Sequence, residues 1–155
     1  HFASLSSISP NAKAVYIFTS QFAAQYFKLA KLNLDLSKST AIGIGKASSQ
    51  AIANFGFAQV LTPKQAISES LIELCQQIEF DQAYLFKGEA GRDEIANAFK
   101  LAKKNLKTYN VYKRVWISIS DAQLAKIKQA DVFIITSGEI GQQLIALDND
   151  LFNKL

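Results

Sequence analysis

The sequence predicts an α/β fold built on a mostly parallel sheet with helices on both faces, and three observations carry that prediction. Short apolar, β-rich runs alternate with segments of helical period, the rhythm of successive strand–helix–strand units. Runs such as Ala14–Phe18 and Ala83–Phe86 are apolar on both faces, as strands covered by helices on each side should be. Capping and turn residues stand where a run gives way to a helix, Thr19-Ser20 after the first run and Gly43 with Gly45 around the second.

In chain order the expected strands are Ala14–Phe18, Ala41–Ile44, a brief Gln59–Leu61, Ala83–Phe86, Lys107–Tyr112 and Val132–Ile135. Ser20–Leu32 is the first helical segment, with Ala23, Tyr26, Phe27 and Ala30 on one stripe. Lys46–Phe55 carries Ala47, Ala51 and Ile52, with Gly56 as its expected C-cap. Ile67–Ile78 and Gly91–Lys104 follow with comparable stripes. The runs Val15–Ser20, "VYIFTS", and Val132–Ser137, "VFIITS", echo each other as apolar strands that end in Thr-Ser and lead into a helix. That echo predicts the same element in two similar domains. Residues 1–114 suffice for a complete α/β domain; residues 115–155 hold a linker and an incomplete portion of a second.

Composition narrows the function. The chain has 155 residues, 49% of them hydrophobic, enough for one proper core. Nothing in it resembles a membrane span or a signal peptide, so the expected location is cytoplasmic, with no membrane partner. The formal net charge of +4 is spread along the chain and suits a small anionic ligand better than a nucleic acid. Cys75, the only cysteine, lies on the apolar stripe Leu71, Leu74, Cys75, Ile78, which reads as a buried structural thiol. His1 is the only histidine and stands at the terminus, so triads and histidine metal sites lose their central residue. The chain contains no methionine, which suggests a piece of a longer protein.

Candidate sites fall at the carboxyl ends of strands, where open α/β sheets bind ligands. "GIGKASS" places Gly43, Gly45, Lys46 and Ser48 at a helix start, which is either an anion site or a plain tight turn capped by Ser48. It lacks the Walker ending, and its Gly-x-Gly alone is a weak dinucleotide signal. In "FKGEAGRDEIANAFK", Gly88 and Gly91 permit a turn and Asp93 and Glu94 suit a helix start, while Arg92 opposes the helix dipole. Arg92 therefore meets either a ligand carboxylate or a neighbouring acidic side chain. Tyr112, Lys113 and Arg114 end a strand, where a phenol beside two cations either bonds a substrate or covers a domain junction. Thr19-Ser20 and Thr136-Ser137 either cap helices or present hydroxyls to a ligand.

In their order these pieces resemble uroporphyrinogen-III synthase. Phe18-Thr19-Ser20, Gly45–Ser49 with Gly56-Phe57, Ser68-Glu69-Ser70-Leu71, Gly88–Asp93, Val111-Tyr112 and Thr136-Ser137 match the family's sequence of motifs almost end to end. The Gly-Glu-Ala-Gly-Arg-Asp loop and the Val-Tyr strand end are the specific parts. The resemblance implies two α/β, flavodoxin-like domains joined by linkers, with the active site in the cleft between them. By that pattern this chain holds the inserted domain, a return linker near Lys113–Trp116 and only the start of the other domain. A monomeric whole enzyme is then expected, and a fragment that is inactive alone and able to dimerise by exchanging Val132–Ile135.

The implied reaction closes hydroxymethylbilane, a linear tetrapyrrole with multiple carboxylates, into uroporphyrinogen III with loss of water and inversion of the last ring, without metal or organic cofactor. The resemblance assigns Tyr112 to assisting departure of the hydroxyl, and Ser20, Gly45, Lys46, Ser48, Gly88, Arg92 and Ser137 to binding substrate. Ser48-Ser49 stands where the family has Thr-Ala, so a hydroxyl survives. The alternative is a non-catalytic α/β module that binds a small anion or nucleotide. A receiver domain would need an acidic cluster at its strand ends that this sequence lacks, and a nucleotide binder would need a fuller glycine fingerprint.

Overall fold

The structure, a computed structural model, describes Leu5, Ile8, residues 13–91 and residues 93–147. The chain divides into two compact units, His1–Arg114 and Val115–Leu155.

The first unit alternates strand and helix: β1 (Ala14–Phe18), α1 (Gln21–Leu29), β2 (Thr40–Gly43), α2 (Lys46–Ile52), β3 (Gln59–Leu61), α3 (Ser68–Gln76), β4 (Gln82–Gly88), α4 (Glu94–Leu101) and β5 (Leu106–Tyr112). All strand pairs are parallel, in the order β3-β2-β1-β4-β5. The chain winds outward from β1 through β2 to β3, then crosses back to lay β4 and β5 on the other side of β1. The reversal falls between β1 and β4, and their carboxyl ends open the crevice in which such sheets bind ligands.

Alternation along the strands divides the core in two. On one face Tyr16, Phe18, Ala41, Tyr84, Phe86, Tyr109 and Val111 meet Ala23, Ala24 and Phe27 of α1 and Ile52 of α2. On the other, Val15, Ile17, Ile42, Ala83 and Leu85 meet Leu71 and Cys75 of α3 and Ile95 and Phe99 of α4. The first face is largely aromatic, with Phe18 stacked on Phe86 at 4.9 Å and Phe27 edge-on to both. This is the α/β architecture that the sequence predicts, a parallel sheet with helices on both faces. β1 and β3 have the expected bounds, and β2, β4 and β5 differ from theirs by a residue or two, because ladder pairing rather than hydrophobicity sets where a strand stops.

Helix ends show the same local logic. Ser20 caps α1, its Oγ accepting from Ala23 N at 3.1 Å. α2 stops at Ile52, short of the expected Phe55; Gly56 takes φ of 88° beyond a further turn rather than directly capping the helix. α4 closes with Lys103 at φ of 51°, Lys103 N donating to Lys100 O and Lys104 N to Phe99 O, the double bond of a left-handed helix end usually given to glycine.

The second unit contains α5 (Asp121–Lys128) and α6 (Gly138–Leu147). The expected strand Val132–Ile135 is not one: these residues have no regular structure, and Val132 and Ile134 are exposed. A strand needs a neighbour to take its N–H and C=O groups, and among the described residues of this unit no other strand exists to pair with it. An apolar groove lies within the unit between Trp116, Ile117 and Ile119 on one side and Ile140, Leu144 and Leu147 on the other. No helix among the described residues is long and apolar enough to cross a membrane.

Candidate functional site

At the carboxyl ends of β1, β4 and β5 the chain brings Ser20, Gly88 and Tyr112 together. β1 stops at Phe18, and Thr19 ties the end to β4, its backbone N–H and its Oγ1 both donating to Phe86 O at 3.2 Å. Ser20 then caps α1 while its own proton goes to the phenol oxygen of Tyr112, 3.1 Å away. A single hydroxyl therefore accepts from the helix and donates to the phenol. With Ser20 filling one lone pair of the phenol oxygen, the tyrosine's own O–H is left as the donor.

Gly88 explains how the phenol reaches that position. The register of β4 against β5 shifts between Lys87 and Gly88, which sets Gly88 opposite Tyr112, and Glu89 N donates to Tyr112 O at 2.9 Å. The ring of Tyr112 then lies across the backbone of Gly88. A Cβ at position 88 would sit 2.8 Å from Cζ and 3.1 Å from the phenol oxygen. Glycine is thus required here by close approach. Tyr112 is further held by Tyr26, stacked at 6.1 Å and 12°, and by Phe22 at 6.0 Å.

The loop that follows β4 is anchored from beneath. Lys87, only 5% exposed near the carboxyl end of β4, turns its ammonium to Gly91 O at 2.7 Å and to the carboxylate of Asp93. Lys87 is thereby committed to holding the turn Gly88–Asp93. Arg92 lies outside the described residues.

One strand over, Ile44 N pairs with Phe18 O and leads to the turn at Gly45. Ser48 is buried; its Oγ accepts from Gly45 N at 3.0 Å and donates to Gly45 O at 2.9 Å, closing the turn on itself. Gly43 lets α2 approach β2, since a Cβ there would come within 2.4 Å of Ser49 N. The Gly-x-Gly pattern is accounted for in part by this packing, and the exposed Lys46 is the group the turn turns outward. In the second unit Ser137 caps α6, Ile140 N donating to its Oγ at 3.3 Å, the same three-residue reach that Ser20 makes.

Sequence reasoning found Ser20, Gly88 and Tyr112 but not that they touch. It missed Lys87 and Phe22, and it placed Tyr26 on the core stripe of its helix. A lone lysine directly after an apolar run and two aromatics four residues apart on one helix were the available signals. Elsewhere the ionisable interior is inert: burial pushes the Cys75 thiol up to about 12, against a small opposing effect of Lys104, so it is protonated at neutral pH. Burial, with Tyr84 beside it, likewise raises the Tyr16 phenol to about 12. Among the described residues no group of His, Cys, Asp and Glu is arranged to hold a metal ion.

Against known proteins, the family model described as uroporphyrinogen-III synthase HemD matches residues 4–153, nearly the whole chain. No curated protein matches it.

Proposed function

We propose that this chain, which belongs to the uroporphyrinogen-III synthase family, serves tetrapyrrole biosynthesis by converting hydroxymethylbilane to uroporphyrinogen III, with Tyr112 as the group that helps the hydroxyl leave. The observation that carries the reading is the bond from Ser20 Oγ to the Tyr112 phenol at the switch point of the sheet. It orients the phenol O–H as a donor, which is what departure of hydroxide as water requires.

The chemistry balances without a cofactor. The C–O bond of the hydroxymethyl group breaks with its electron pair on oxygen, which takes the phenol proton and leaves as water. The carbon remains as a delocalised azafulvene cation. It is attacked by the substituted carbon of the last pyrrole, giving a spiro intermediate that reopens and rejoins with the ring inverted. The proton lent by Tyr112 is replaced by the one the last ring gives up as it regains aromaticity. Choosing which carbon attacks is a matter of holding the substrate folded, so most of the catalysis is positional.

Substrate carboxylates need cations and N–H groups. In this reading Lys46 and Arg92 meet them, from the turns after β2 and β4, and Ser137 offers its helix start in the second unit. Gly45 and Ser48 act by shaping the turn that carries Lys46, and Gly88 by making room for Tyr112.

The test is Tyr112→Phe and Arg92→Ala in the native protein that carries this sequence, assayed for uroporphyrinogen III against the isomer I that forms spontaneously. Tyr112→Phe should lower turnover by roughly a hundredfold or less, at or below the low end for a general acid, because the hydroxyl also leaves unaided. Arg92→Ala should chiefly raise KM. Unchanged kinetics in both variants would sink the assignment.

A further inference from the structure

We infer that Phe22 is a substrate-positioning residue: its exposed ring beside Tyr112 offers a π face to the pyrrole that loses its hydroxyl and steadies the cation left behind. The inference rests on the role proposed above for Tyr112 and extends it to a residue that the sequence motifs do not single out.

Neither helix formation nor core packing accounts for Phe22. The first turn of a helix favours acidic and small polar residues, and an aromatic there gives up rotamer freedom. The buried side of α1 is Ala23, Ala24 and Phe27, whereas Phe22 is 51% exposed. What it does meet is Tyr112, at 6.0 Å and 57°. Tyr26 follows four residues later on the same strip of α1 and stacks on the other aromatic, Tyr112, at 12°. Three rings thus gather where Ser20 Oγ meets the phenol oxygen, and Phe22 is the one of them most open to solvent.

A pyrrole whose hydroxymethyl oxygen takes the Tyr112 proton must come within hydrogen-bond reach of that phenol. As the C–O bond breaks and water leaves, positive charge spreads over the pyrrole. The negative face of an adjacent aromatic ring attracts such a cation, an effect worth about two- to fivefold in rate at an exposed site.

The experiment compares Phe22→Leu, which keeps apolar bulk without a π face, with Phe22→Tyr, which keeps the face, in the native protein that carries this sequence. kcat, KM, the ratio of isomer III to isomer I and Tm are measured for each with hydroxymethylbilane. Phe22→Leu should lower kcat about two- to fivefold and shift product toward isomer I at unchanged Tm, and Phe22→Tyr should restore both. Wild-type kcat and isomer ratio in Phe22→Leu would overturn the inference while leaving the role of Tyr112 intact. A loss that tracks a fall in Tm and is not rescued by Phe22→Tyr would overturn it as well. A wild-type protein that makes no isomer III would overturn the functional reading and this inference together.

Discussion

Replacing Gly88 with alanine tests the geometry around Tyr112 most sharply. The added methyl would stand 2.8 Å from Tyr112 Cζ, 2.9 Å from Cε2 and 3.1 Å from the phenol oxygen, all well inside contact distance. No backbone strain is involved, so the whole effect falls on the ring, which must swing away. Doing so forfeits the bond from Ser20, about 1 kcal/mol net, and adds crowding of about 1 kcal/mol at the low end of overpacking costs. A total near 2 kcal/mol lowers the Tm of a domain of this size by roughly 10 °C. Thermal unfolding followed by circular dichroism measures this directly. Turnover should fall as far as in Tyr112→Phe, and combining the two should add little, since both remove the same oriented proton. The cost should vanish in a Tyr112→Ala background, where no ring stands in the way. An alanine at 88 that costs as much with the ring absent as with it present would refute the reasoning.

Three further outcomes follow from the same structure. Ser20→Gly should lower turnover and cost about 1 kcal/mol in urea unfolding for the lost bond to Tyr112, with only a few tenths more for the cap, whereas Ser20→Ala should lower turnover equally and cost about 2 kcal/mol, bond and cap together. Lys103→Gly should raise stability by about 0.5 kcal/mol in the same assay, because Lys103 holds a left-handed helix end that glycine adopts without penalty. Stability should fall as pH climbs past 9: the folded state keeps the Cys75 thiol and then the Tyr16 phenol protonated up to about 12, while the unfolded chain releases those protons near 9 and 10. Each group then contributes up to about 1.4 kcal/mol per pH unit until its folded pKa is reached; Cys75→Ala should flatten the decline that begins near pH 9.

The architecture was legible because its signals are strong and local. β1 and the Ala83–Phe86 stretch of β4 are continuous apolar runs, and only a strand sandwiched between helices can bury such a run on both faces. Val132–Ile135 carries nearly the same run, and its failure to form a strand shows what such a run lacks: apolar residues make a strand burial-worthy, but pairing needs a partner, and the described residues of its own unit hold no other strand. The site was half legible. Ser20, Gly88 and Tyr112 stand far apart in sequence, and the pattern of each marks a strand end or a cap. That they meet depends on the strand order and on the one-residue shift at Lys87/Gly88. Lys87 was hidden because the expected strand stopped at Phe86, one residue short of it, and its burial depends on the long stem reaching Gly91 and Asp93. Phe22 carries no motif at all; only the position of Tyr112 across from it gives the ring a meaning.

The measurement that bears most directly on the account is the isomer composition of the product formed from hydroxymethylbilane by the native protein that carries this sequence, resolved chromatographically against a heat-denatured control. Uroporphyrinogen III should be the main product, with Tyr112→Phe slowing its formation toward the unaided rate. Only uroporphyrinogen I, at the rate of the denatured control, would contradict it.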